Sequence, residues 1–162
     1  MNNQKCSKSS LKHLMTTKQK LLQICNERVD KRMNDYKEEI NLIKESIASN
    51  DKGNSEDDDS GHGKLLNDLE KNMTYLNDAK KAKDYLNNIK TNVKSKEATL
   101  GSIVKTNIMN FYIATSIGKI ELDNEVFFAI SVNSPIGQLL INKPINTSFE
   151  FNQIKYLITE II

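Results

Sequence analysis

Apolar residues in the first part of the chain recur in steps of three and four: Leu22, Cys25, Val29, Met33 (or Arg32), Tyr36, Ile40, Ile43 and Ile47. A stripe this narrow is the seam of a helix that pairs with another helix. A second run repeats the pattern with Leu66, Leu69, Met73, Leu76, Ala79, Lys83 (or Ala82), Leu86, Ile89 and Val93. Neither run contains Pro or an internal Gly, and each covers roughly 24 residues, or about 35 Å at 1.5 Å per residue. Between them lies a Gly/Ser/Asn/Asp-rich stretch at about 50–63. A connection that short predicts two arms folded back antiparallel. The pattern thus predicts a helical hairpin over 11–95, after a tail of residues 1–10 whose composition suits disorder.

Past Val93 the period changes. Residues 93–102 are polar and end in Gly101-Ser102, the composition of a linker. Beyond them, β-branched and aromatic residues gather in short runs. Residues 102–106 and 111–115 flank an Asn-rich turn. Residues 117–122 and 125–131 flank Asp123-Asn124, and two further runs flank Asn152-Gln153. Short runs on either side of such dipeptides read as β-hairpins. Pro135 suits the first turn of a short helix. The expected fold is α+β, with a helical hairpin followed over 100–162 by a small antiparallel sheet carrying one short helix.

Composition narrows the classes of protein this chain belongs to. Hydrophobic residues are 38% and charged residues 27% of the 162, with five Phe, five Tyr and no Trp, so the cores are aliphatic. No segment approaches the ~18 apolar residues of a membrane span. The first ten residues lack the apolar run of a secretory signal. Cys6 and Cys25 form no CxxC pattern, and both suit a reducing, cytoplasmic setting. Charge is segregated: residues 1–49 carry +4, 50–63 carry −4, 64–100 carry +3 and 101–162 carry −1. Two basic arms flanking an acidic tip do not make the single basic face of a nucleic-acid-binding domain, so sequence-specific DNA binding is not expected.

The chemistry-bearing candidates follow from that segregation. Glu56, Asp57, Asp58 and Asp59 stand consecutively at the tip. Carboxylates are the oxygen ligands that Mg²⁺ takes, one or two at a time alongside phosphate and water. The competing reading is a solvated cap that resists aggregation. His62 lies beside them between Gly61 and Gly63, and reads as an exposed loop residue. Ser134, Pro135, Ile136 and Gly137 read first as helix-starting and turn residues. No GxSxG, P-loop, GxGxxG or HExxH is present, so catalysis by this chain alone is not expected.

The segments Gly101–Thr106, Ser131–Asn146 (SVNSPIGQLLINKPIN) and Phe149–Ile161, together with Ile117–Ser131, carry a resemblance. They are similar to the C-terminal domain of the bacterial Gre transcript-cleavage factors, the GreA/GreB family, and the chain resembles a divergent member. Over residues 11–95 the resemblance extends only to architecture. It implies an FKBP-like fold for residues 100–162 that binds RNA polymerase beside its secondary channel, with Ser134, Pro135, Ile136 and Gly137 meeting the partner. It implies that the hairpin reaches the active centre, where Asp58 and Asp59 help hold the polymerase's second Mg²⁺. Asp57 and Glu56 assist there, and the polymerase then hydrolyses backtracked RNA at its nascent 3′ end. No cofactor of its own is implied.

The family's tip pairs an Asp with a Glu three residues on. Here Asp58 takes the Asp position, while the Glu position falls on Gly61. Glu56 and Asp59 keep the three-residue spacing. Asp57 to Asp59 offer a different ligand geometry, and loss of cleavage with inhibition of the polymerase is the third possibility. A coiled-coil adaptor without polymerase contact stays open. An FKBP-like isomerase would need an aromatic-lined pocket, typically with Trp, which the sequence does not supply.

Overall fold

The computed structural model describes residues 15–50 and 59–162, with side chains described for 15–49 and 61–162. Helix α1 runs Thr17–Asn50 and α2 runs Asp59–Asn87, packed antiparallel. Strands β1 (Ile103–Thr106), β2 (Asn110–Ala114), β3 (Gly118–Leu122), β4 (Glu125–Ser131), β5 (Ser148–Phe151) and β6 (Ile154–Ile161) follow, with α3 (Pro135–Leu140) between β4 and β5. The architecture is α+β, as expected.

Local chemistry explains the element ends. The Thr16 Oγ1 accepts from the Gln19 N–H at 3.3 Å, and the Gln19 Oε1 accepts from the Thr16 N–H at 2.8 Å, a reciprocal box that starts α1. Helix α2 closes through Asn88 N–H to Tyr85 O and Ile89 N–H to Leu86 O, at 3.2 and 3.1 Å. It therefore stops six residues short of Val93, which is exposed. Asp123, Asn124, Asn152 and Gln153 all have positive φ, between 51° and 64°, so both two-residue connections are the left-handed pairs that match strand twist.

The sheet order is β3-β4-β2-β1-β6-β5. It is mixed rather than wholly antiparallel, because β2 and β4 run parallel over Asn110–Ala114. Burial explains the order. Strand β2 alternates between two cores, Phe111 and Ile113 facing one and Tyr112 and Ala114 the other. In β4, Phe127 and Ala129 face one side while Phe128 and Ile130 face the other. Strands with two apolar faces belong in the middle, whereas β3 shows one buried residue, Ile120, and takes an edge.

One face of the sheet receives the base of the hairpin: Leu21, Cys25, Val29 and Leu86 share a core with Ile103, Tyr112, Ile120 and Phe127. On the other face α3 seats Leu140 and Ile136 against Phe111, Ile113, Tyr156 and Ile158. The hairpin thus leans on the sheet only at its base. From Arg32 to Asn50, α1 continues for about 27 Å at 1.5 Å per residue.

Candidate functional site

Beyond its base, the hairpin stem is closed by Ile40 and Ile43 of α1, both buried, against half-buried Leu65, Leu69 and Leu76 of α2. The seam on α2 runs one residue earlier than the sequence reading near the tip. Leu66 and Met73, expected inside, are 46% and 54% exposed. The adjacent Leu65 takes the inward position because 65, 69, 72 and 76 keep the 4-3-4 spacing that faces α1. Midway, the rings of Tyr36 and Tyr75 lie 5.6 Å apart, and the Lys71 ammonium sits 5.8 Å from the Tyr75 ring centre. Lys83 crosses between helices, donating to Asn26 Oδ1 at 2.7 Å and Asp30 Oδ2 at 2.8 Å.

At the far end, α2 begins inside the Gly-rich stretch, so Gly61, His62 and Gly63 are helical and the arm is longer than the sequence pattern implied. A Cβ on Gly63 would meet nothing within 4 Å, so this glycine serves no steric need. Asp59 is the first residue of α2. Glu56, Asp57 and Asp58 lie outside the described residues, as does the side chain of Asp59. Their sequence position, immediately before a helix N-terminus, is where negative charge is favoured. Among the described residues, no three His, Cys, Asp or Glu side chains approach closely enough to hold a metal ion.

The second candidate surface is the start of α3, where each residue has a structural task. Ser134 caps the helix: its Oγ accepts from the Gly137 N–H at 3.1 Å and donates to Ser131 O at 2.7 Å. Pro135 opens the first turn. Ile136 packs into the core under α3. A Cβ on Gly137 would stand 2.1 Å from Ser131 O, so no other residue fits there. Of the four, Pro135 is the exposed one, and Gln138 and Leu139 extend that surface. The hairpin base and α3 pack on opposite faces of the sheet.

The sequence reading missed a row of cations on α1. Arg28 donates to Lys119 O at 2.9 Å, Arg32 to Ser116 O at 3.4 Å, and Lys20 to Asp123 Oδ2 at 2.7 Å. Their spacing of four and eight was available, but two of the acceptors are backbone carbonyls and leave no trace in sequence.

These elements define a class of molecule: a two-helix arm mounted on a six-stranded mixed sheet, with separate candidate surfaces at the arm's end and on the sheet's far face. No protein-family model matches the chain, and no curated protein matches it. Among solved structures, the transcription factor Gfh1 is similar over 84% of this chain and 92% of that chain, at 15% identity and a TM-score of 0.34. Gfh1 of Thermus aquaticus is similar over 83% of this chain and 92% of its own, at 18% identity and a TM-score of 0.33. Likeness at that level assigns neither family nor activity. Among the described residues, no helix is long and apolar enough to cross a membrane.

Proposed function

We propose that this chain is an RNA polymerase-binding elongation factor. The sheet domain docks beside the secondary channel and the hairpin carries the carboxylates of residues 56–59 toward the polymerase active centre. The observation that carries the reading is the free length of the hairpin. An arm of about 27 Å with no support from its own sheet, ending in four consecutive acids, suits delivery of charge into another molecule. The Gre-like segment Ser131–Asn146 supports the choice of partner. Two-metal phosphoryl chemistry requires a second cation beside the first. The tip residues Asp57, Asp58 and Asp59 would supply oxygen ligands to the polymerase's Mg²⁺, which in turn polarises the RNA phosphate. The chain itself supplies no nucleophile, and hydrolysis of backtracked RNA remains the polymerase's own reaction.

Inhibition without cleavage is the second reading. Gly61, which stands where the family's tip has Glu, is now a residue of α2 and brings no carboxylate. The deciding assay adds the protein to a stalled, backtracked elongation complex and follows RNA length. Shortened RNA supports cleavage, whereas slowed extension with unchanged RNA supports inhibition. D57N/D58N/D59N is expected to abolish either effect while binding persists. Full activity in that triple variant would refute the tip's role.

A further inference from the structure

Lys20, Arg28 and Arg32 lie at intervals of eight and four residues, so they share one face of α1. Their acceptors are Asp123, Lys119 O and Ser116 O, in the reverse order along the chain. Helix α1 therefore runs antiparallel to residues 116–123, with Lys119 in β3, the edge strand of the sheet, Ser116 in the connection before it and Asp123 in the turn after it. Two of those points are backbone carbonyls, one of them within the strand itself. The apolar contacts of Leu21, Cys25 and Val29 hold the helix on the sheet face, but apolar attraction is non-directional. Hydrogen bonds from a planar guanidinium are directional.

We infer that Lys20, Arg28 and Arg32 are positioning residues that set the direction in which the hairpin leaves the sheet. The inference extends the proposed function, since an arm that acts at a distance must be aimed. From Arg32 to Asn50 the lever is about 27 Å, so an error of roughly 10° at the base moves its end by about 5 Å. Chemistry that depends on placement loses rate steeply with displacements well below that. The row's one ion pair, Lys20–Asp123, is exposed and adds little to stability, and a typical hydrogen bond adds only about 1 kcal/mol net. The row therefore acts on aim more than on folding.

The test measures aim without the polymerase. Nitroxide labels are placed on the full chain at S46C, far along α1, and E150C, on β5, in a C6S background; Cys25 is buried and stays unlabelled. Pulsed electron–electron resonance is expected to give one narrow distance distribution. In R28Q/R32Q the distribution is expected to broaden or shift by about 4 Å, the movement of a point 14 residues beyond Arg32 at 1.5 Å per residue for the same angle, with the far-ultraviolet spectrum unchanged. R28K/R32K keeps at each place a donor long enough to reach the carbonyl, which the shorter Gln side chain is not, and is expected to restore the narrow distribution. An unchanged distribution in R28Q/R32Q would show that the apolar core alone sets direction and would overturn the inference. So would a Lys variant as broad as the Gln variant. If R28Q/R32Q does not fold, R28Q alone is read by the same criteria. Loss of polymerase binding by the wild type would refute the proposed function and leave these distances untouched. If binding holds, the Gln variant is expected to keep its affinity and lose its effect on RNA.

Discussion

Tyr112 places a hydroxyl in the core between hairpin and sheet, where it finds no hydrogen-bond partner among the described residues. An unmade bond of this kind costs about 1–3 kcal/mol. Tyr112→Phe is therefore expected to leave stability unchanged or raise it by about 1 kcal/mol, as read from urea midpoints. A loss above that amount would mean that the hydroxyl has a partner in solution. Nearby Cys25 is fully enclosed, and burial pushes its thiol up to about 12, against a smaller opposing pull from Arg28. Tyr112 is displaced upward as well, again by burial first. In both cases the folded state favours the protonated form. Their contribution is complete below the unfolded thiol's ordinary 9.0 and is lost as pH rises toward 12. Stability is expected to decline through that window, and Cys25→Ala to flatten the decline. A pH slope identical in both proteins would remove Cys25 from the explanation.

Among the elements, those with self-contained chemistry were the most legible. The turns at Asp123-Asn124 and Asn152-Gln153 fall where the dipeptides placed them, because a two-residue connection is specified by its own residues. Helix α3 likewise starts at Pro135 behind the Ser134 cap. Errors arose where two readings were locally equal. Leu65 and Leu66 are adjacent, and only the partner helix decides which turns inward. Gly61 and Gly63 read as loop because glycine weakens a helix, yet α2 passes through both. That gives a prediction: Gly63→Ala meets no obstacle and is expected to stabilise the start of α2 by up to ~1 kcal/mol. The comparison to make is helicity at 222 nm through a thermal melt; lower helicity in the Ala variant would show that α2 starts later in solution. The parallel pairing of β2 with β4 had no local signal at all. It follows from β4 inserting between β2 and its own hairpin partner β3, so that two reversals of the chain return β4 to the direction of β2. Of the candidate site, the acids and the α3 segment could be found by eye, whereas Arg28 and Arg32 could not.

At the scale of the whole molecule, one core belongs to both parts: Leu86 of α2 and Leu21 of α1 pack with Ile103 and Phe127 of the sheet. Hairpin base and sheet should then unfold together. Leu86→Ala is expected to cost about 2–5 kcal/mol and to lower the helical and the tyrosine-reported transitions by the same amount. Separate midpoints would mean that the two parts fold independently. The contact of α1 with β3 has a further result. A sheet edge recruits neighbours through its bare backbone groups, and the Lys119 carbonyl of β3 is already taken by a guanidinium from the chain's own helix. The opposite flank, β5, is four residues long. One flank capped in mid-strand and the other short both discourage the addition of further strands from another copy.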